Sequence, residues 1–250
     1  MAVVAGWANA ETITLAGSST IMPLMEQMMP TLQAHGIDAR IQGGGSGAGI
    51  KSTKMGMAQI GMVSRALTED ESKDFDHLVI ARDWVVLIAN KQRNLSDITT
   101  QQVVDIYSGK VSTWDDGEPI HAVGKEAGRA TKEVFDAHFG LLGNTRKDLI
   151  IIGANGQAIT SVANDKNALA YVSYADAEEA VLNGESIRIL TLDGETGTPE
   201  NVAAGKYLLA RELNLVFLRK HGALKERMRL VLSDEAARKV FLDHHVMPVL

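Results

Sequence analysis

Four short stretches of this 250-residue chain carry small hydroxyls, glycine and cations where a strand gives way to a helix. They are Ser18-Ser19-Thr20 after Gly17, Gly45-Ser46-Gly47 within a run of glycines, Ser64-Arg65, and the segment from Lys125 to Thr131. A Gly/Ser loop that opens a helix presents unpaired backbone N–H groups at the positive end of the helix dipole, which is the chemistry of an anion site. The hydroxyls add donors, and the guanidinium of Arg65 can fork onto an oxyanion. In the fourth stretch, Lys125-Glu126-Ala127-Gly128-Arg129-Ala130-Thr131, a glycine loop leads into a helix with a cation on either side. One such loop reads equally well as a turn, and Arg129 alone as a solvated surface residue. The repetition favours a site.

Nucleotide and acyl-transfer motifs fit these residues poorly. A phosphate-binding P-loop requires G-x-x-x-x-G-K-[ST], but Ile50 separates Gly49 from Lys51-Ser52. Gly43, Gly45 and Ala48 give a G-x-G-x-x-A run without the acidic residue expected at the end of the next strand. Gly44, Ser46 and Ala48 give G-x-S-x-A rather than a nucleophile elbow, and no histidine and aspartate can be assigned as partners. What survives is anion binding without covalent chemistry.

The composition agrees. A net charge of −6, from 25 basic and 31 acidic side chains, argues against nucleic acid or an anionic membrane as the main partner. The absence of cysteine excludes disulfides and thiolate chemistry. His244-His245 and the ten methionines read as structural rather than as metal sites, and no cofactor is expected. The opening "MAVVAGWANAE" is apolar and ends in Ala8-Asn9-Ala10, the small-x-small pattern of a signal-peptidase cut. Residues 1–10 are therefore expected to be a residual signal peptide or leader, with Glu11 as the new N-terminus.

The elements that must position these residues alternate. Thr12 to Ala16 reads as a strand, and apolar residues at 21, 24, 25, 28 and 32 recur at helical spacing, with Pro30 ending or kinking the helix. Strands follow at 37–41, at "QIGMVS", at 78–80 and at 84–89. The pattern then restarts with the helix "TTQQVVDIYSG", closed by Gly109, and continues through alternating strands and helices to a strand in "ELNLVFLRK" and two final helices. Strand–loop–helix repetition of this kind means parallel α/β architecture, here in two units.

The motifs "GSSTI", "GGGSGAGI", "IGMVSR", "IYSGKVSTW", "GKEAGRATKEVF", "NALAYVSY" and "YLLARELNLVF" resemble, in order and spacing, the phosphate-binding proteins of ABC transporters, the PstS type. The resemblance covers nearly all of the chain from Glu11 onward. It implies an α/β, two-lobe periplasmic-binding-protein fold of class II with a hinge crossed twice. Lobe 1 would comprise residues 11–89 and 213–250, and lobe 2 residues 90–212. It further implies a soluble periplasmic monomer that is not an enzyme and that delivers inorganic phosphate to a membrane permease.

Carried over residue by residue, the resemblance assigns phosphate contacts to Ser18, Ser19, Thr20, Gly45, Ser46, Gly47, Ser64, Arg65, Gly128, Arg129, Ala130 and Thr131. Lys125 and Glu126 would support them. The fourth motif departs from the family's R-E-x-G-S-G-T pattern: Lys125 replaces the arginine and Arg129 a serine. Arg129 would then supply the second lobe's guanidinium, oriented by Glu126. Ser64-Arg65 also lacks the carboxylate that some relatives use to accept the proton of phosphate, so sulfate or another tetrahedral oxyanion stays open. A phosphate sensor or scavenger shares every feature, whereas a phosphohydrolase lacks a nucleophile, base or metal set.

Overall fold

The structure, a computed structural model, describes residues 11–250, so the expected leader lies outside the described residues. The first half runs β1 (Glu11–Gly17), α1 (Met22–Gln27), α2 (Met29–Ala34), β2 (Ile37–Gln42), α3 (Ser46–Lys54), β3 (Ile60–Val63), α4 (Glu69–Asp74) and β4 (Phe75–Asn90). Then come β5 (Asp97–Ile98), α5 (Thr100–Ser108), β6 (His121–Lys125), α6 (Ala130–His138), β7 (Ile150–Ile152) and α7 (Asn155–Asn164). After them follow β8 (Ala168–Ser173), α8 (Tyr174–Leu182), β9 (Ile187–Ile189), β10 (Thr191–Leu192) and α9 (Pro199–Ala203). The chain closes with β11 (Ala210–Leu218), a short 3-10 turn, α10 (Gly222–Leu232), α11 (Glu235–Asp243) and β12 (Met247–Pro248).

The strands pair in the order β2-β1-β3-β11-β4-β8-β6-β7, with β9 and β12 also on β4. β1 is parallel to β2 and β3, and β6 is parallel to β7 and β8. Each parallel group is fed by helices, as βαβ connections require. β11 runs antiparallel to β3 and to the first part of β4, from Leu218↔Phe75 to Ala210↔Trp84. β8 takes over the second part of β4, from Val85↔Ser173 to Ala89↔Leu169.

The apolar residues of β4 are shared between two cores. Leu78, Ile80 and Ala81 pack with Ile13, Leu15, Met25, Leu215 and Phe241. From Trp84 to Ala89 they pack with Tyr107, Phe135, Val162, Tyr171 and Leu190. The second core is centred on aromatics, with Phe135 stacked on Tyr171 at 3.8 Å and set edge-on to Tyr107 at 4.8 Å. Two cores on one long strand make two lobes.

Sequence reading placed two strands where this single strand of 16 residues runs. The polar pair Arg82-Asp83 suggests a break, but Asp83 is fully buried against Arg211 and pairing continues through it. The first helix also divides differently. It stops at Met28 and restarts, because each half places a proline (Pro23, Pro30) in a first turn, where no intrahelical N–H is lost. Gly109 ends α5 in the left-handed conformation, as expected. His244 and His245 lie beyond α11 rather than within it. Among the described residues no helix is long and apolar enough to cross a membrane.

Candidate anion-binding site

The loops after β1, β2 and β3, from one lobe, meet those after β6 and β7, from the other. They surround a small cavity lined by Ser18, Ser19, Thr20, Gly45, Ser46, Ser64, Lys125, Arg129, Ala130, Thr131, Gly153 and Asn155. The space is far smaller than the roughly 300–1,000 Å³ of pockets for drug-sized ligands, which suits it to a small ion. Ten of these residues were expected from sequence; Gly153 and Asn155 were not. Both belong to the strand–glycine–helix junction between β7 and α7, the same local pattern as the others.

The serines of the first lobe form a chain. Ser18 Oγ donates to Ser64 Oγ at 3.0 Å, and Ser64 N–H donates to Ser46 Oγ at 3.0 Å. Ser18 Oγ also accepts from the N–H groups of Thr20 and Ile21, which fixes the turn before α1. Ser18, Ser46 and Ser64 are all buried. Gly45 precedes α3 with φ of +90°, and a side chain there would strike Arg129 Cδ at 2.8 Å. Glycine is thus required twice over, by conformation and by the cation across the cleft.

A residue that sequence reading passed over organises the hydroxyls. Arg211, on β11, is paired with Asp83 in full burial, Nη2 to Oδ2 at 2.7 Å. Its remaining donors reach Thr131 Oγ at 2.9 Å and Thr20 Oγ at 3.1 Å. Asn155 Nδ2 donates to the same Thr20 Oγ at 3.2 Å. Because these oxygens already accept, the protons of Thr20 and Thr131 are left to donate into the cavity. Arg211 therefore sets the polarity of one hydroxyl from each lobe. Its place in "YLLARELNLVF" was a signal, but a cation within an apolar strand carries no role until its partners are known.

The cations differ in how they are answered. Arg129 donates to Glu126 at 2.9 and 3.2 Å, the orientation expected for that pair. Lys125 is 2% exposed and its Nζ has no hydrogen-bond partner among the described residues. Burial holds Lys125 down at about 7; Asp176 opposes this, and Arg211 and Arg129 reinforce it. Burial likewise raises the Asp176 carboxyl to about 6, although Asn155 donates to it at 2.6 Å.

Arg65 stands apart from the cavity. Both of its Nη atoms are held by Glu71, at 2.7 and 2.9 Å, and its Nε donates to Glu133 of α6. Two carboxylates outcompete the cleft for the side chain, so the direct contact expected of Arg65 gives way to a bridge between lobes. Gly47 and Gly128 also lie beyond the wall. They join the lobes instead, Gly47 N–H donating to Gly128 C=O at 3.0 Å.

The chain matches the family model of the PBP superfamily domain over residues 2–237. It belongs to that family. Over 107 residues it is 38% identical to Phosphate-binding protein PstS 2 of Streptococcus agalactiae, a stretch covering 42% of this chain and 36% of that relative. Over 242 residues it is 27% identical to Phosphate-binding protein PstS of Staphylococcus epidermidis, covering 88% of this chain and 74% of the relative. The solved structure of a phosphate ABC transporter substrate-binding protein from Clostridium perfringens, with bound phosphate, matches with a TM-score of 0.87 and 26% identity. That match covers 96% of this chain and 100% of the other. The resemblance carried by the motifs and the two-lobe fold are both borne out.

Proposed function

We propose that this chain is a solute-binding protein that captures inorganic phosphate between its lobes and delivers it to the permease of an ABC transporter. The observation that carries the reading is convergence. Buried hydroxyls and helix-start N–H groups of both lobes, with Lys125 and Arg129, surround one cavity of small-ion size. Charge-assisted bonds each contribute about 1.5–3 kcal/mol, and nearby fixed donors outweigh the protein's overall negative charge. Phosphate bound by the Clostridium perfringens protein supports the choice of ion. The chain would act as an exported monomer, outside the cytoplasm, by binding without bond-making. Its first crossing between lobes would fall at Asp83, because from Trp84 onward the apolar residues of β4 belong to the second core.

One observation favours a second ligand. Among the described residues no carboxylate lines the cavity, so a protonated phosphate would have to donate to an amide, hydroxyl or carbonyl oxygen. Sulfate has no proton to place. A competition titration of phosphate against sulfate over about pH 5–8 decides between them. Arg129→Ala should weaken binding of the preferred ion at least tenfold by calorimetry, the loss of one charge-assisted contact. Unchanged binding would remove Arg129 from the site.

A further inference from the structure

Every other cation at the cleft has a carboxylate of its own. Arg129 has Glu126, Arg211 has Asp83, and Arg65 has Glu71 and Glu133. Among the described residues Lys125 has none within ion-pair distance, although it is nine-tenths buried and lines the cavity. The groups that bear on it come from every neighbouring element. Asp176 attracts it from α8, while Arg211 from β11 and Arg129 from the loop before α6 repel it. Its own backbone N–H donates to Tyr171 Oη of β8 at 3.3 Å. Asn155 and Thr131, from α7 and α6, share the cavity wall with it. A buried ammonium without a partner is among the costliest groups a fold can hold. Lys125 is itself one of the residues that line the cavity.

We propose that Lys125 Nζ is the direct charge partner of the bound anion and the residue that makes capture proton-linked, the anion and a proton entering the site together. This rests on reading the cavity as an oxyanion site and adds which cation selects for charge. The step balances without covalent change. The neutral amine takes a proton from solvent and the resulting ammonium pairs with the dianion. If the monoanion enters instead, its acidic proton passes to Nζ and none is drawn from solvent. Burial and the two arginines favour the neutral amine above about pH 7, whereas a dianion in contact favours the ammonium. Affinity should therefore fall as pH rises beyond that point, with proton uptake on binding. Arginine at this position would hold its charge throughout and show neither effect.

The test is calorimetry on the full chain with inorganic phosphate and with sulfate, whose charge does not change in this range. Wild type, Lys125→Arg and Lys125→Met are compared from about pH 6 to 9, in buffers of contrasting ionisation heat. Wild type should take up more than half a proton per anion near pH 8 and lose affinity toward pH 9. Lys125→Arg should bind with no uptake and a flatter profile. Lys125→Met should lose at least tenfold at every pH while keeping, without anion, a melting temperature at or above that of wild type, because the cost of burying an unpartnered amine is gone. Binding by Lys125→Met within threefold of wild type would overturn the proposal, as would a wild-type profile matching that of Lys125→Arg, and either result leaves the phosphate reading standing. Failure of wild type to bind either anion would overturn both.

Discussion

At the scale of single residues, the site depends on which atoms have already spent their hydrogen bonds. Arg211 donates to Asp83, Thr20 and Thr131, and so decides that both threonines must donate onward. Removing it has two consequences that can be separated. Arg211→Met strands Asp83 as a buried charge and should cost about 3–5 kcal/mol in chemical denaturation. Adding Asp83→Leu removes that charge and should restore most of the stability, since buried pairs are often replaceable by apolar groups. Phosphate affinity should stay at least tenfold weaker in the double variant, because the hydroxyls have lost the donor that orients them. Recovery of both together would show that Arg211 is structural alone. Sequence reading found the serines and threonines through their local loops, but named Arg65, which Glu71 and Glu133 hold, and passed over Arg211. Adjacency to Ser64 made Arg65 conspicuous, while the partners of Arg211 lie 80, 128 and 191 positions away.

At the scale of elements, the junctions were legible because strand–glycine–helix is a local pattern, whereas the connection between lobes was not. β4 reads as two strands since Arg82-Asp83 looks like a break, and only the burial of Asp83 against β11 makes it continuous. Likewise, Asn155 opens α7 behind Gly153 with no serine or arginine to mark it. The start of α3 shows how an element serves fold and closure separately. Gly47 lies in the first turn of α3, and its N–H donates across the cleft to Gly128. A methyl group there would sit 3.2 Å from Gly128 Cα and 3.3 Å from its oxygen, tight enough to press the lobes apart. Within α3 alone, alanine is favoured over glycine by up to about 1 kcal/mol. Gly47→Ala should therefore leave the melting temperature without phosphate unchanged or raised, and weaken phosphate binding severalfold by calorimetry. Unaltered affinity would mean that the two loops do not need this approach for capture.

At the scale of the whole molecule, a chain of net charge −6 gathers four of its cations, Arg65, Lys125, Arg129 and Arg211, at the seam between two cores. The same seam carries a bridge that touches no cavity atom. Arg65, beside β3, is anchored by Glu71 in its own lobe and extends Nε to Glu133 on α6 of the other. Glu71 is itself pinned, its side chain accepting from Thr68 N–H in the capping box of α4. The guanidinium is thus fixed from within its own lobe, which lowers the entropy that pairing with Glu133 would cost. Glu133 is more than a third exposed, so the bridge is screened and is worth roughly 0.2–1 kcal/mol. Acting on closure rather than on the ion, it should appear as a coupling. Arg65→Gln and Glu133→Gln should each weaken phosphate binding by about two- to fivefold, and the double variant should be little worse than either one. The effect should shrink in high salt. Singles that multiply in the double variant would show that Arg65 and Glu133 act on capture independently, and the bridge would then be no latch.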